Sequence, residues 1–450
     1  MRVRYVLLAA GTLLLPTTTQ AVPSFARQTG FECVTCHLSW PELTAVGREF
    51  KLGGYTLKKD VSGERPWLPM PMSEEQPKIP IAAMLQVSLT HSESTGGADP
   101  SEFPRNNDAV LQQFSLFYAG RIVDHLGAFV QWTYDGVEHH SSIDNVDIRF
   151  ANRLKGDDTE IAYGLTLNNN PTVSDIYNTT PAWGFPFASS SVAVTPNAST
   201  LIDGGLGQQV VGLGPYAMWK NTLYTEVAWY RTADGAFSIF RAGTDKSNDA
   251  VLSGAAPYWR VALQHVWGEG VHSAMIGTYG IDVRKFPDSL DPTGPTDRYL
   301  DTGFDAQYQY ITDLNRFSAQ LNWIRERQNL DASFPSGAAS NPSDTLNTFR
   351  GKLTYYYDRK YGATLGYFRT YGSPDDALYN TGEAVTGSAN GSPNSSGYIF
   401  ELDWLPRRDV RIAAQYTAYR TFNGSSNNYD GFGRNARDNN TLYLLGWLMF

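Results

Sequence analysis

From residue 81 onward, apolar and polar residues alternate with a period of two. In one stretch, Tyr398, Phe400 and Leu402 alternate with Glu401 and Asp403. This period places successive side chains on opposite faces of a β-strand. One face is polar or charged, and aromatic residues gather at the ends of the apolar face, as in outer-membrane barrels with lipid outside and a polar lumen inside. A soluble β-sandwich also alternates, but it rarely has such long strands with aromatic-tipped apolar faces.

About sixteen segments show this pattern, which is an even number, as bacterial barrels require. They are 81–91, 109–122, 126–136, 142–151, 159–169, 207–220, 222–232, 258–267, 271–284, 297–311, 314–328, 347–358, 361–371, 396–405, 409–422 and 439–450. We therefore predict an all-β fold, an antiparallel outer-membrane barrel of about sixteen strands.

The lengths of the connections test this prediction independently. Every second connection is short, namely 123–125, 152–158, 221, 268–270, 312–313, 359–360 and 406–408. The others are longer and rich in Gly, Ser, Asn and Asp, and include 92–108, 170–206, 233–257, 329–346, 372–395 and 423–438, with 137–141 as the one short exception. Barrels of the outer membrane have short periplasmic turns and long extracellular loops. Both termini are thus expected in the periplasm and the long loops outside the cell.

The last segment, 441–450, ends in Phe450. An apolar final strand with a terminal phenylalanine is similar to the assembly signal of bacterial outer-membrane barrels, although an ordinary buried last strand would also be apolar. Both faces of this segment are apolar, so the sequence does not show which face is turned inward.

The N-terminus has the features of a secretory signal peptide. Arg2 and Arg4 precede the apolar run 6–15, and the small-x-small sequence at 19–21 offers a cleavage site after Ala21. A membrane anchor is the alternative, but the run is shorter than the roughly 20 apolar residues that a spanning helix needs. The mature chain is therefore predicted to be 22–450.

The chain's two cysteines lie in the sequence Cys33-Val34-Thr35-Cys36-His37. This Cys-x-x-Cys-His pattern attaches c-type haem. We expect Cys33 and Cys36 to form thioethers with one haem, and His37 to ligate the iron from one side. The prediction is one covalently bound haem c.

Three other interpretations of the motif remain open. A Cys33–Cys36 disulfide is possible in an oxidising compartment, but it would close a very short loop and contribute little stability. A zinc site would need a further ligand, and there is no second cysteine pair to supply one. A thioredoxin-like redox motif needs a βαβ context that is missing from the pattern.

The ligand on the other side of the iron is predicted to be a methionine, which raises the haem potential. Met84 is the preferred candidate, because it lies on the polar, lumen-facing side of the first strand. Met70 and Met72, in a proline-rich stretch, are alternatives, and Met449 is a weaker one. Most methionines serve only in packing.

The motif belongs to a segment of turns and short helix, 22–62, in which a helical turn is predicted at 45–51. Such a segment is too small to bury a core alone, so haem must supply the core or the segment must pack on something larger. The proline-rich stretch 63–80 is predicted to be a linker, and 81–450 the barrel. The haem segment would either hang below the barrel or fold into its lumen as a plug.

Composition adds two restrictions. The 36 basic and 45 acidic residues leave a net charge of −9, which argues against a nucleic-acid partner. Only 18% of the residues are charged and 13% are aromatic. This is the average expected when lipid-facing and lumen-facing positions alternate over many strands.

Several short sequences resemble one family. They are Pro23-Ser24-Phe25-Ala26-Arg27-Gln28-Thr29-Gly30, Pro41-Glu42-Leu43-Thr44, Gly47-Arg48-Glu49-Phe50-Lys51, Gly54-Tyr55, Asn168-Asn169-Asn170-Pro171-Thr172-Val173 and Thr180-Pro181-Ala182-Trp183-Gly184. Together with the haem motif, they resemble the outer-membrane monohaem cytochrome–porin fusions linked to extracellular Fe(II) oxidation. The resemblance implies Fe(II) oxidase activity, with electrons taken from Fe(II) at the cell surface and passed to periplasmic c-type cytochromes. Relatives with the same plan serve other extracellular redox partners, so the donor stays open.

Carboxylate oxygens suit transient binding of Fe(II). Asp301 and Asp305 are expected to point inward on the tenth strand, and Glu138, His139 and His140 to lie on an outer loop. The alternative, which we favour, is that these are ordinary solvated lumen and loop residues.

Two other functions compete with the electron conduit. A diffusion porin with a structural or regulatory haem would use Arg350, Lys352, Glu401 and Asp403 to line a water-filled channel. A soluble periplasmic cytochrome with an ordinary β domain is the third possibility, and fractionation into the membrane would exclude it.

Overall fold

The structure is a computed structural model that describes residues 23–56, 79–93, 105–157, 159–243 and 250–450. The predicted signal peptide, 1–21, falls outside the described residues. So do most of the predicted linker and both of its methionines, Met70 and Met72. In the described part of the chain, no helix is long and apolar enough to cross a bilayer.

The described residues form one closed antiparallel barrel of sixteen strands, in which each strand pairs with its neighbours in sequence and β1 pairs with β16. The strands are β1 (Ile81–Ser92), β2 (Ala109–Val123), β3 (Leu126–Asp135), β4 (His140–Lys155), β5 (Glu160–Asn168), β6 (Val210–Trp219), β7 (Leu223–Thr232), β8 (Ala256–Trp267), β9 (His272–Lys285), β10 (Asp297–Ile311), β11 (Asn315–Asn329), β12 (Ser343–Tyr357), β13 (Tyr361–Gly372), β14 (Ser395–Arg407), β15 (Val410–Thr421) and β16 (Thr441–Met449). The predicted number of strands, their antiparallel order and their approximate positions are confirmed.

Short and long connections lie at opposite ends of the barrel, as the sequence predicted. We call these the short-turn end, where β1 begins and β16 finishes, and the long-loop end. The turn 136–139 is again the one short connection at the long-loop end. A pair of backbone hydrogen bonds between Ala83 and Phe450 fixes the chain's last residue to β1 at the short-turn end.

The two faces of the sheet differ as the alternation predicted. Glu401 and Asp403 are buried on the inner face of β14, whereas Phe400 and Leu402 between and before them are 49% and 66% exposed. The last strand, whose phase the sequence left open, turns Tyr443, Leu445, Trp447 and Met449 inward; they are buried. The inner face of the barrel is thus polar over most strands and apolar at β16.

The N-terminal segment contains three helices, α1 (Pro23–Thr29), α2 (Cys33–Cys36) and α3 (Ala45–Leu52). The predicted helical turn at 45–51 is confirmed as α3. It begins at Thr44, whose hydroxyl accepts a hydrogen bond from the Gly47 amide and so satisfies one of the free amides of the first turn. The connections at the long-loop end contain the remaining helices, α4 (Ser333–Ser336) and α5 (Asp376–Tyr379). They also contain the 3₁₀ turns Pro181–Trp183, Gly235–Phe240 and Ala436–Asn439.

Residues 23–56 lie inside the barrel. The Arg48 guanidinium donates to the side-chain oxygens of Gln307 and Gln309 on β10, at 2.9 and 3.2 Å. Across the lumen, the Tyr55 hydroxyl donates to Asp147 on β4 at 2.6 Å. Of the two positions considered for this segment, the structure shows the plug.

The connection 170–206 corrects one expectation. We expected a loop outside the barrel, but Val173, Ser174, Asp175, Ile176 and Tyr177 are all buried. The connection 170–206, which we call the inner loop, folds into the lumen because its polar groups find partners on the inward faces of the strands. Buried arginines of β4 and β8 bind it, Arg149 through the Ser174 carbonyl and Arg260 through the Asp175 carboxylate.

Candidate haem-binding site

One cavity in the lumen brings together the residues that the sequence assigned to haem. Its volume is about 350 Å³, within the roughly 300–1,000 Å³ typical of ligand and cofactor pockets. Cys33, Cys36, His37, Met84 and Met449 all line it. Its apolar wall consists of Phe25, Phe31, Trp40, Phe50, Phe117, Phe129 and Trp447. Four of these five residues, Cys33, Cys36, His37 and Met84, are the ones for which the sequence predicted thioether, proximal or preferred distal roles. The fold brings them to one cavity.

The haem motif itself forms a tight local structure. In α2 the His37 amide donates to the Cys33 carbonyl at 2.9 Å, and the Thr44 amide donates to the Cys36 carbonyl at 2.9 Å. Helix α3 can approach this carbonyl only because residue 47 is glycine. A Cβ added at Gly47 would lie 2.3 Å from the Cys36 oxygen, which is inside van der Waals contact. The motif and α3 therefore form one packed unit.

The chemistry of the motif suits a thioether-linked haem with a histidine ligand. Burial lowers the pKa of His37 to about 4, against the opposing effect of the Glu42 and Pro41 carbonyls, so the ring is neutral, as a metal ligand must be. Its Nδ1 is buried without a hydrogen-bond partner of good geometry among the described residues. Burial also raises the pKa of the Cys36 thiol to about 12, as expected of a sulfur not prepared for thiolate chemistry.

The alternatives for the motif gain nothing from the structure. Cys33 and Cys36 are not joined in a disulfide. In the ranges that the structure describes, no three His, Cys, Asp or Glu side chains are grouped to hold a metal ion. The antiparallel barrel also provides no βαβ unit around the motif.

Arg316, at the start of β11, holds the motif against the barrel wall. Its Nη1 donates to the carbonyl oxygens of Val34 at 2.6 Å and His37 at 3.1 Å. Glu32, directly before α2, pairs with Arg408 at 2.7 Å and with Arg359 at 3.7 Å. The haem motif is thus fixed at the short-turn end by three arginines from three different strands or turns, none of which the sequence analysis identified.

Replacing Arg316 by methionine should loosen the haem motif. The change leaves two carbonyl groups without a donor, at a cost of about 1–3 kcal/mol for each one that stays buried. We expect a smaller fraction of the protein to carry covalent haem, and a lower midpoint temperature for loss of the low-spin haem spectrum. An Arg316→Lys variant should lie between this variant and the wild type.

The matched control for this prediction is Arg298→Met. Arg298 pairs with Asp282 on the neighbouring strand β9 at 2.6 Å, but both side chains are partly exposed and far from the motif. An Arg316→Met protein that matched this control in haem content and midpoint temperature would show that Arg316 does not position the motif.

A second group of contacts holds α3 in the lumen. The Lys51 ammonium donates to the carbonyl oxygens of Val173 and Asp175, both at 2.7 Å, and to the Asn178 side chain at 3.1 Å. Burial lowers the pKa of Lys51 to about 7. The carboxylate of Glu42 is fully buried and accepts hydrogen bonds from Ser318 and Gln309. The plug is therefore joined to both the inner loop and the barrel wall.

Met84 and Met449 are direct partners in the antiparallel pairing of β1 with β16. Directly opposite residues carry their Cβ atoms about 4.5–5.5 Å apart on the same face of the sheet. Both side chains are buried, and both belong to the apolar cluster that contains Cys33. The sequence ranked Met449 below Met84, but in the structure both residues line the same cavity.

The cavity changes character along its length. Its lining on β3 runs from Phe129 through Gln131 to Asp135, a distance of about 20 Å at roughly 3.4 Å per residue. Near the long-loop end it is lined by polar side chains, namely Gln112, Gln113, Asp135, Asp144, Asn145, Ser189 and Ser191. The site thus has an apolar part beside the haem motif and a polar part toward the long-loop end.

The residues considered for iron binding are not brought together. Asp305 is buried and binds Arg260 through both carboxylate oxygens, at 2.8 and 3.2 Å. Asp301 is also buried and accepts a hydrogen bond from the Ile202 amide at 2.7 Å. Asp305 also accepts a hydrogen bond from the hydroxyl of Thr179, so both carboxylates bind the inner loop. The expectation of solvated lumen residues is wrong for them.

The loop candidates lie elsewhere, at the turn between β3 and β4. There Glu138, His139 and His140 are exposed, and the His139 ring contacts Arg105 and Tyr134. The lumen residues Lys352, Glu401 and Asp403 are buried in ion pairs and hydrogen bonds, and Arg350 pairs with Asp203. They do not line an open channel.

Comparison with known proteins gives similarity of overall shape only. The chain matches no protein-family model and no curated protein. Among solved structures, it is similar to Salmonella typhi OmpF in complex with daunomycin, with a TM-score of 0.48 and 11% identity over 85% of this chain and 100% of that one. The outer membrane channel DcaP of Acinetobacter baumannii gives a TM-score of 0.44 and 12% identity over 84% and 99%. An anion-selective porin from Comamonas acidovorans gives 0.44 and 10% over 82% and 98%.

Proposed function

We propose that this protein is an outer-membrane electron conduit. It takes electrons from an extracellular donor, with Fe(II) as the first choice, and passes them through one covalent haem c to a periplasmic c-type cytochrome. The observation that carries the proposal is one cavity inside a closed barrel, lined by Cys33, Cys36, His37 and Met84 together.

The outer surface of the barrel supports a membrane location. Large apolar side chains project from the strands, among them Leu213, Trp229, Ile276, Phe304 and Leu402, each about half exposed or more. An outer surface with many exposed apolar side chains is stable in lipid and costly in water. With the haem motif at the short-turn end, an outer-membrane orientation with periplasmic turns would set the haem near the periplasm.

The residues around the cavity fit a haem group. Haem c supplies reversible one-electron chemistry when bound. The chain's own residues would do the rest: Cys33 and Cys36 anchor, His37 ligates from one side, and Met84 faces the same space from the barrel wall. The aromatic wall excludes water, which together with methionine favours a higher potential.

The polar part of the cavity supports a donor that arrives from outside the cell. Small hydrated ions could enter along the Gln, Ser and Asp side chains that lead toward the haem motif. Ferric iron precipitates at neutral pH, so a site that removes the electron at the outer side of the membrane keeps mineral out of the periplasm.

A diffusion porin is the second candidate, and the sixteen-stranded barrel itself favours it, since barrels of this size can enclose an aqueous channel. The contacts inside the lumen oppose it. Residues 23–56 and the inner loop occupy the lumen, and charged side chains such as Arg149, Arg260 and Arg411 are buried in ion pairs there.

Proteoliposomes that enclose an oxidised c-type cytochrome test the proposal. Fe(II) added outside should reduce the protein's haem, seen as the sharpened absorption bands of ferrous haem c, and then the enclosed cytochrome. A Cys33→Ser, Cys36→Ser protein is the matched control, because it keeps the barrel and loses the covalent anchor.

The possible results separate the parts of the proposal. If dithionite reduces the haem and Fe(II) does not, Fe(II) is not the donor, and a conduit for another donor is still supported. If the wild-type protein is purified without covalent haem, that result contradicts the electron conduit and favours the diffusion porin.

A further inference from the structure

Two tryptophans that line the haem cavity have buried indole nitrogens without hydrogen-bond partners. They are Trp183, on the inner loop, and Trp447, on β16. An indole N–H can only donate a hydrogen bond, so each nitrogen needs an acceptor. None of the described residues provides one.

Orphaned buried donors are uncommon in folded proteins, and each one calls for an explanation such as a missing ligand. Elsewhere in the barrel, the indole of Trp323 finds a partner, the Tyr371 hydroxyl at 3.4 Å. Both unpartnered indoles line the same cavity, so one bound group could satisfy both of them.

Each of these indoles also carries a cation on its ring face. The Lys51 ammonium lies 4.1 Å from the centroid of the Trp183 ring, and the Arg411 guanidinium carbon 5.6 Å from that of Trp447. A cation over the face draws electron density from the ring and makes the N–H a stronger donor. Arg411 is itself paired with Glu401 and Asp403, and Lys51 donates to the Val173 and Asp175 carbonyl oxygens. Of these two pairs, the groups left to bind an acceptor in the cavity are therefore the two indole N–H groups.

We propose that the Trp183 and Trp447 indole N–H groups hold the two propionate carboxylates of the haem. This inference rests on the proposed function, because it needs haem in the cavity. Propionates are the only carboxylate acceptor groups of haem, and the residues that line the cavity offer two unpartnered indole donors. Both tryptophans would then be positioning residues, which fix the haem plane relative to Met84.

The test uses full-length protein with covalent haem, and Trp183→Phe, Trp447→Phe and double variants. Phenylalanine keeps an aromatic ring and removes the donor. Resonance Raman spectroscopy reads the propionate bending bands, whose frequency falls when a hydrogen bond to the carboxylate is lost. We expect a downward shift in each single variant and a larger one in the double variant, with haem content unchanged.

Trp323→Phe is the matched control, since it removes an indole that lies outside the cavity, and its bending bands should equal those of the wild type. Unshifted bands in all three cavity variants would overturn the inference. If those variants still carry covalent haem, the proposed function is unaffected by that result. Wild-type protein without covalent haem would instead overturn the proposed function. If Trp183→Phe or Trp447→Phe fails to fold, Trp183→His or Trp447→His replaces it, because histidine keeps a ring N–H donor. A folded histidine variant with the bending bands of the wild type supports the inference. A folded histidine variant with shifted bands contradicts it.

Discussion

Removal of residues 23–56 should turn a closed barrel into an open channel. The wild-type protein in a planar lipid bilayer is expected to show little ion conductance, because the plug fills the lumen and is joined to it by Arg48, Lys51 and Tyr55. Without the plug, the lumen of a sixteen-stranded barrel is wide enough for water and ions. Conductance should therefore rise from near the bilayer background toward that of an open porin, with the inner loop as the remaining obstruction.

The Cys33→Ser, Cys36→Ser variant is the control for this experiment. It keeps the plug and lacks the anchors for haem, so it should stay closed if the polypeptide itself blocks the lumen. Conductance in this variant would show that the block depends on haem. A wild-type protein that conducts as freely as the deletion variant would favour the diffusion porin and contradict the plug.

Under the proposed function, with Met84 as the distal ligand, replacing Met84 by leucine should remove sulfur ligation from the haem iron. Leucine has a similar volume, so the apolar packing should be largely kept. The near-infrared band of methionine-bound ferric haem should disappear. The midpoint potential should fall by a sizeable part of the roughly 0.8 V over which axial ligands set haem potentials. Absorption spectra and a redox titration measure both effects.

Met449→Leu is the matched control, because Met449 lies opposite Met84 and lines the same cavity. This variant should keep the band if Met84 is the ligand. A Met84→Leu protein that keeps the band and loses it only when Met449 is also replaced would assign the role to Met449. A double variant that still shows the band would point to Met70 or Met72 instead.

The barrel was accessible from the sequence because its pattern is local. Alternation within a strand such as β14 shows which side chains face lipid. A shift of one residue in the pairing of β14 would turn Glu401 and Asp403 toward the lipid. The grouping of Cys33, Cys36 and His37 was equally accessible, since these residues are close together in the chain, whereas their binding of haem stays a prediction. Neither prediction needed knowledge of contacts between distant residues.

What the sequence did not show depends on contacts over long separations. Nothing local distinguishes the inner loop from an outer one, because its burial depends on Arg149 and Arg260, which are distant in the chain. The inward phase of β16 was equally hidden, because the lumen is apolar where Trp447 packs against Trp40 of the plug. Arg316 was missed for the same reason. Its partners are backbone carbonyl groups, which every residue has, so the sequence gives no sign of the contact.

The pairing of Met84 with Met449 has a consequence for the order of assembly. One methionine belongs to the first strand and the other to the last, so this wall of the cavity forms only when the two ends of the sheet join. Covalent attachment at Cys33 and Cys36 uses a motif near the start of the chain and needs no finished barrel. Under the proposed function, a methionine-ligated haem would therefore mark a molecule whose barrel has closed, and a haem attached without it would mark one still incomplete.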